Sequence, residues 1–192
     1  SEMCIRDRNY VEPIKKKNDI KKMYQVLKTK SVRDYLLFKL AIHTGMRLAD
    51  LLHLKVEDVK NEENKEIKIA WIQQGVPFIK IMIPSDLRNE IDTYIYENQL
   101  KDHHFLFQSL RTHKELSRQQ AYRIIHHAAE ELGLLHIGLT TLRKTFAYHA
   151  YKSGVSIAII QKYLGHQTTH ETLKFIGLSP KEEQHTIIAL NL

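Results

Sequence analysis

Segments with helical periodicity and recognisable ends cover most of this chain, and they constrain its fold more than any other feature. Asp19 is predicted to cap a helix over residues 20–29. Ser31 is predicted to cap a second helix that ends at Gly45, because glycine favours helix termination. Ser117, with a glutamine three positions later, forms a capping box at the start of another. These patterns predict a mainly α-helical domain.

One segment departs from the helical pattern. Residues 66–72 (EIKIAWI) and 78–84 (FIKIMIP) are rich in β-branched and aromatic residues and flank QQGVP, which is typical of a hairpin. Lys68 and Lys80 are expected on its two strands. Helices are predicted to resume over DLRNEIDTYIYENQ, TTLRKTFAYHAYKSG, SIAIIQKYLGH and TTHETLKFIG, with a last helix that begins at Ser179-Pro180. The expected fold class is therefore α+β, mainly helical with a small antiparallel sheet.

The chain is predicted to form one domain over residues 10–192, because neither a repeat nor a linker rich in proline or glycine interrupts it. Residues 1–9 are expected to be non-native or disordered, since SEMCIRDR resembles translated adapter sequence. No apolar run approaches the roughly 20 residues of a membrane span. Cys4 is the only cysteine, which excludes a disulfide framework and a cysteine-based zinc site. A reducing cytoplasm is the expected location.

Basic residues outnumber acidic ones by 29 to 22, which gives a formal net charge of +7 and a pI near 9.3. This excess is typical of a chain that meets a polyanion, and double-stranded DNA is the leading candidate. A basic protein without such a partner would have the same composition. The candidate phosphate contacts, each of which could equally lie on a solvated helix face, are Arg118, Arg123, Lys80, Lys144, Lys152 and Lys162.

Three segments carry the residues from which a function can be inferred. TGMRLADLLHLKVEDV contains Arg47, LTTLRKTFAYHAYKSG contains Arg143, and IIQKYLGH ends at His166 and is followed by TLKFIGL. In this order and spacing they resemble the motifs of the tyrosine recombinase (phage integrase) family, including its short Xer-like members. The resemblance runs from about Tyr10 to the C-terminus. It implies a catalytic core that breaks and rejoins DNA without a cofactor.

Breaking a phosphodiester without a metal requires neutralisation of its two non-bridging oxygens, and paired guanidinium groups do this bidentately. The resemblance implies that Arg47 and Arg143 form this pair, and that His166 donates to the same phosphate or assists proton transfer. Asp50, three residues beyond Arg47, is expected to hold that guanidinium in place. The structural alternatives are arginines in surface salt bridges and a histidine that satisfies a carbonyl at a helix end.

Three positions depart from the family pattern. The family histidine that precedes the second arginine by three residues is Thr140 here, and the family lysine of the hairpin turn is Gln73 when the turn glycine is aligned on Gly75. The family nucleophile is a tyrosine, and that position, the ninth after the motif histidine, is Phe175. Threonine is no base near neutral pH, glutamine has no proton to give, and phenylalanine has no oxygen.

These departures leave two functions open. Either the chain acts in site-specific recombination by metal-free strand cleavage and rejoining, or it is a DNA-binding module or regulator without catalysis. Phe175 is either an engineered or a natural change, and the two further departures favour natural loss. The expected partners beyond DNA are further copies in a tetramer or an active recombinase. The candidate substitutes for the missing groups are Lys68, Lys80, Tyr148, Tyr151 and Tyr163.

A zinc site is a third hypothesis. HQTTH places His166 and His170 four residues apart on a helix, which is a spacing of zinc ligands. However, Gln167 stands where the metalloprotease motif has glutamate, and no third ligand is marked.

Overall fold

The structure is a computed structural model that describes residues 10–178 and 188–192. The segment 1–9 and the helix predicted at Ser179-Pro180 lie outside the described residues. In chain order the elements are α1 (Lys17–Lys30), α2 (Val32–Thr44), α3 (Leu48–Leu52), α4 (Val56–Val59), β1 (Ala70–Ile72), β2 (Lys80–Met82), α5 (Ser85–Glu97), α6 (Arg118–Glu131), α7 (Thr140–Lys152), α8 (Ile157–Leu164) and α9 (Thr169–Ile176). None of the described helices is both long enough and apolar enough to cross a membrane.

Helix α2 is the centre of the main hydrophobic core. Leu37, Phe38 and Leu40 are completely buried on it, because α1, α5 and α7 all pack against this helix. A helix that is apolar on nearly every face is stable only when neighbours surround it in this way. The predicted ends of α2 are confirmed, with the Ser31 hydroxyl accepting from a first-turn N–H and Gly45 in the left-handed conformation.

A second, smaller apolar cluster joins α7, α8 and α9. Its buried members include Ala147 of α7, Ile160 of α8 and Ile176 of α9, and the hairpin residues Val76 and Ile79 pack against it. Helix α7 also contributes to the main core. This helix therefore fixes the C-terminal helices and the hairpin relative to α2.

The hairpin is shorter than predicted. Strands β1 and β2 pair antiparallel over three residues each, with Ile72 opposite Lys80. Two successive turns separate the strands, in which the Val76 N–H donates to the Gln73 carbonyl and the Ile79 N–H to the Val76 carbonyl. These bonds take the intervening residues out of the strand ladder, so the loop is longer than QQGVP.

Two predicted positions are wrong. Lys68 lies before β1 rather than on it, because its backbone N–H donates to the Val59 carbonyl at the end of α4. Asp19 lies inside the first turn of α1, which begins at Lys17, and does not cap it. The capping box at Ser117 is confirmed at the start of α6.

Candidate functional site

Backbone carbonyls at the ends of two other helices fix the guanidinium of Arg143. Its Nε donates to the Gly45 carbonyl at 3.0 Å, and its Nη1 donates to the Leu164 carbonyl at 3.4 Å. Both carbonyls lie at helix C-termini, where the helix dipole favours a cation. Its Nη2 is buried and has no hydrogen-bond partner among the described residues. A buried donor without an acceptor is costly, so this atom is available to the oxygen of a ligand.

Arg47 supplies a second guanidinium near that of Arg143. Its side chain is exposed just before α3, and within the described part of the chain it forms neither a hydrogen bond nor an ion pair. Burial, and then the nearby charge of Arg47, lower the pKa of Arg143. Arg47 Nη2 also lies 3.8 Å from the position that a Cβ on Gly165 would take. Two neighbouring cations that form no ion pair within the described part of the chain create a positive potential that favours an anion.

Both arginines line one cavity of about 210 Å³, and two more of the predicted residues line it with them. Thr140 is the first residue of α7, and Arg118 is the first residue of α6, which packs against α3. Apolar side chains, among them Met46, complete the lining. The cavity is therefore lined by three arginines and one threonine, which are residue types that bind anions.

Gly45 is essential to this geometry for two reasons. Its φ is +64°, in the left-handed region that side chains disfavour. A Cβ at this position would lie 2.3 Å from Cδ1 of Phe146, so the ring of α7 packs directly on the glycine backbone. The same residue presents the carbonyl that holds Arg143. The turn between α2 and α3 therefore needs glycine both for its conformation and for the close approach of α7.

We expect Gly45→Ala to lower the free energy of unfolding by about 3 kcal/mol, or roughly 10 °C in Tm, from left-handed strain plus the clash. Gly133→Ala is the matched control, because Gly133 has nearly the same φ, +67°, but no atom within 4 Å of the added Cβ. It should cost only about 1 kcal/mol. Equal losses in thermal melts of the two variants would contradict the close packing of α7 on Gly45.

His166 lies at the end of α8 and faces α9. Its Nδ1 is 2.9 Å from the Thr172 hydroxyl, which fixes the orientation of the imidazole. Burial lowers the pKa of His166, and the charge of Arg143 lowers it further, whereas Glu171 opposes the shift. The lowered pKa leaves the ring mainly neutral near pH 7 in the free protein.

Phe175 packs between two residues of the site. The Phe175 ring packs edge to face against the His166 ring, with centroids 5.0 Å apart. In a second contact, Lys144 Nζ lies 5.2 Å from the centroid of the Phe175 ring. Lys144 Nζ also donates to the Val11 carbonyl at 2.9 Å. Burial lowers the pKa of Lys144, with Glu12 opposing the shift. Lys144, predicted as a DNA contact, is thus half-buried and bonded within the protein.

Gln73, which occupies the family lysine position, is hydrogen-bonded to Asp50, the residue expected to hold Arg47. Gln73 is 4% exposed, and its Nε2 donates to Asp50 Oδ2 at 3.2 Å while its Oε1 accepts from Trp71 Nε1 at 3.3 Å. The expectation that Asp50 holds the Arg47 guanidinium is therefore wrong. Arg47 is the N-cap residue of α3 and has an extended backbone. It therefore lies outside the helix, and the spacing of side chains along a helical face does not relate it to Asp50.

The remaining predicted DNA contacts lie outside the arginine cavity. Lys80 lines a separate groove of about 730 Å³ between the hairpin and α3. Lys162 lies on α8, with its Nζ 5.8 Å from the centroid of Phe78. Arg123 and Lys152 are exposed on α6 and α7 and line neither space.

The structure gives no support to two of the substitute tyrosines, Tyr163 and Tyr148. Tyr163 is 3% exposed, and its hydroxyl donates to the Thr44 carbonyl. Burial raises its pKa to about 12, although the charge of Arg143 opposes the shift. Tyr148 is also buried, with Lys15 near its ring. A nucleophilic phenol needs the opposite properties, which are access to phosphorus and a lowered pKa.

The zinc hypothesis gains no support either. His170 is exposed, whereas His166 is turned towards Thr172 and Phe175. Among the described residues no group of three histidine, cysteine, aspartate or glutamate side chains is arranged to hold a metal ion.

The sequence did not predict three residues that orient Arg143 and His166. Gly45 was expected only to end a helix, and neither its carbonyl nor that of Leu164 carries a signal in the sequence, since any residue has a carbonyl. Thr172 orients His166 from six positions away, across the turn between α8 and α9. Only the three-dimensional meeting of α2, α7, α8 and α9 reveals them.

Comparisons with known proteins identify the family of this chain. The model of the phage integrase family matches residues 15–181. Probable integrase/recombinase YoeC of Bacillus subtilis (strain 168) is 39% identical over 170 residues, which are 88% of this chain and 90% of that protein. Tyrosine recombinase XerA of Pyrococcus furiosus is 31% identical over 176 residues, which are 91% of this chain and 60% of that protein.

A solved structure has the same fold. The crystal structure of XerH site-specific recombinase bound to palindromic difH substrate, a post-cleavage complex, superposes with a TM-score of 0.68 at 19% identity, covering 90% of this chain and 50% of that one. The chain thus spans between half and three-fifths of the XerH and XerA proteins, but nearly the full length of YoeC. This chain belongs to the phage integrase family, and its fold is that of a tyrosine recombinase catalytic domain.

Proposed function

We propose that this chain acts in site-specific DNA recombination by binding double-stranded DNA with one backbone phosphate in the arginine cavity. The observation that carries the proposal is that the Arg47 guanidinium and Nη2 of Arg143 have no partner among the described residues, while both arginines line the same cavity. Two guanidiniums can each donate to a non-bridging oxygen, and the buried setting of Arg143 strengthens that interaction. Thr140 and Arg118 add donors from the rim.

On this proposal the chain grips the phosphate but does not cut it. Cleavage needs an oxygen to attack phosphorus and a proton for the departing 5′ oxygen. Phe175 offers no oxygen, and Gln73, which is bonded to Asp50 and Trp71, offers no acidic proton. The groups that neutralise charge are therefore present, whereas the groups that would break the bond are missing.

The same proposal has a consequence for assembly. Strand exchange at a site held by this chain needs a catalytically complete recombinase as a second kind of subunit, in a tetramer on DNA. Copies of this chain alone would occupy the site and protect it. A DNA partner and the single cysteine both agree with a cytoplasmic location.

Salt dependence of binding tests the proposal. We expect the affinity for a fluorescent duplex to fall steeply between about 50 and 200 mM salt, with log affinity losing about 0.9 per log unit of salt for each phosphate neutralised. Arg47→Met should weaken binding on the order of tenfold or more and reduce this slope by about one phosphate.

Arg111→Met is the matched control, because Arg111 is an exposed arginine that lines neither the cavity nor the hairpin groove. It removes the same charge and should change affinity far less. A flat salt response of the unaltered protein, or equal losses from the two variants, would contradict the proposal.

A further inference from the structure

The tip of the hairpin presents an aromatic ring to solvent. Phe78 is 63% exposed, although its neighbours Val76 and Ile79 pack against the cluster of α7, α8 and α9. Single exposed apolar side chains are common and need no explanation by themselves. Phe78 differs from such isolated side chains because a cation, Lys162 Nζ, lies over its ring, 5.8 Å from the centroid.

The ring stands close to the arginine cavity. Lys162 lies one helical turn before His166, and its carbonyl accepts from the Gly165 N–H at 3.2 Å. Gly165 is the residue that Arg47 approaches. At the other end of the same hairpin loop, Gln73 is bonded to Asp50 of α3. The base of the loop is therefore bonded to α3, and its tip contacts α8 one turn before Gly165.

The groups around the ring are those that recognise a duplex. Lys162 on α8 places its ammonium group beside the ring, and Lys80, two residues after Phe78, begins β2 and lines the hairpin groove. Ammonium groups bind the phosphates, and the flat apolar surfaces that DNA can offer to a phenyl ring are the faces of its stacked bases. A protein that inserts an apolar side chain between base pairs partly unstacks them and kinks the helix.

We propose that Phe78 is an apolar wedge that enters the bound duplex between two base pairs beside the phosphate held by Arg47 and Arg143, while Lys162 and Lys80 contact the flanking phosphates. This inference rests on the proposed DNA binding and adds to it a contact with the bases. Flexible pyrimidine–purine steps open at least cost, so the wedge favours such steps next to the gripped phosphate.

Fluorescence of an unstacked base tests the wedge. The probe is a short alternating dA–dT duplex in which 2-aminopurine replaces some adenines in every turn, so that binding register does not matter. At saturating protein we expect the unaltered chain to raise the fluorescence several-fold. Phe78→Ala should abolish this rise and weaken binding about tenfold, with an unchanged salt slope because no charge is removed.

Tyr96→Ala is the matched control. Tyr96 is 84% exposed near the end of α5, and it lines neither the arginine cavity nor the hairpin groove. This variant should keep both the affinity and the fluorescence rise. Phe78 is exposed, so its replacement should leave the Tm unchanged, and a melt of each variant checks that the fold is intact.

The possible outcomes distinguish failure of the Phe78 wedge from failure of the proposed DNA binding. If the unaltered protein binds with a steep salt dependence and Phe78→Ala keeps the full fluorescence rise, the wedge is wrong while DNA binding stands. If Phe78→Ala instead changes only the sedimentation of the free protein, the ring is a protein contact and the wedge is again wrong. If the unaltered protein does not bind the duplex, the proposed function fails and the wedge fails with it.

Discussion

Replacing Phe175 with tyrosine is expected to give the protein a covalent DNA adduct that the unaltered chain does not form. The ring already lies beside His166, two residues after the Leu164 carbonyl that accepts from Arg143, so the substitution adds a single oxygen to a preformed site. Lys144, 5.2 Å from the ring centroid, would help to stabilise the phenolate. The unaltered chain has the charge-neutralising groups without a nucleophile, and no amount of electrostatic stabilisation replaces it.

The rate of the restored reaction depends on the leaving group. The tyrosine oxygen forms a bond to phosphorus while the bond to the 5′ oxygen breaks, and that oxygen then needs a proton. Because Gln73 cannot give one, we expect unmodified DNA to react on the order of 10²–10⁴-fold more slowly than a substrate that needs no acid. A substrate with sulfur at the bridging 5′ position meets this condition, since a thiol with a pKa of about 8.5 leaves as the thiolate.

The measurement is a denaturing gel with the sulfur-containing duplex, whose sequence is selected beforehand by binding to the unaltered protein. Phe105→Tyr is the matched control, because Phe105 is also half-buried beneath a lysine, with Lys55 Nζ 5.9 Å from its centroid, but lies away from the arginine cavity. It should give no adduct. An adduct from the unaltered chain, or none from a Phe175→Tyr variant that binds, would show that position 175 is not the attacking position.

Arg143→Met is expected to weaken DNA binding on the order of 100-fold, about 2–3 kcal/mol, while changing the free energy of unfolding by less than about 1 kcal/mol. The binding loss follows from removing a charged donor from the phosphate. The small effect on stability follows because two opposing effects nearly cancel. The fold loses two hydrogen bonds to carbonyls, but it also loses a partly buried cation that Arg47 repels.

An arginine with a purely structural role would give the opposite pattern. Arg33 is such a residue, since it is paired with Asp34 at 2.9 Å and donates to the Gln108 carbonyl at 2.8 Å. Arg33→Met should lower stability by about 2 kcal/mol and leave DNA affinity nearly unchanged. Chemical denaturation and duplex titration of both variants separate the two roles. If Arg143→Met behaved like Arg33→Met, the arginine cavity would be a structural feature.

Much of the fold follows from local patterns in the sequence. Ser31, Gly45 and Ser117 mark helix ends through hydrogen bonds and φ values that depend on neighbouring residues only, and all three predictions are confirmed. The convergence of Arg47 and Arg143 was also predictable, but only from their resemblance to family motifs. Nothing in helical periodicity brings together residues that are 96 positions apart.

The sequence could not predict features that depend on competition between partners. Asp50 had two candidates, Arg47 by spacing and Gln73 across the fold, and the buried amide of Gln73 takes it because a buried polar group must be bonded. From the sequence of α7 alone, Lys144 was expected to face DNA. In the structure its ammonium group donates to the Val11 carbonyl of the N-terminal segment. Both outcomes depend on packing between distant segments.

The central claim is that Arg47 and Arg143 hold one and the same phosphate, and a double-mutant cycle on duplex binding tests it most directly. Arg47→Met, Arg143→Met and the double variant are titrated at one salt concentration, with Arg111→Met and Arg143→Met as a parallel pair. We predict that the double Arg47 and Arg143 variant loses less affinity than the sum of its single variants, by about 1–3 kcal/mol, whereas the Arg111 pair is additive. Losses for Arg47 and Arg143 that add within about 0.5 kcal/mol would mean that the two arginines contact different phosphates, which contradicts the account.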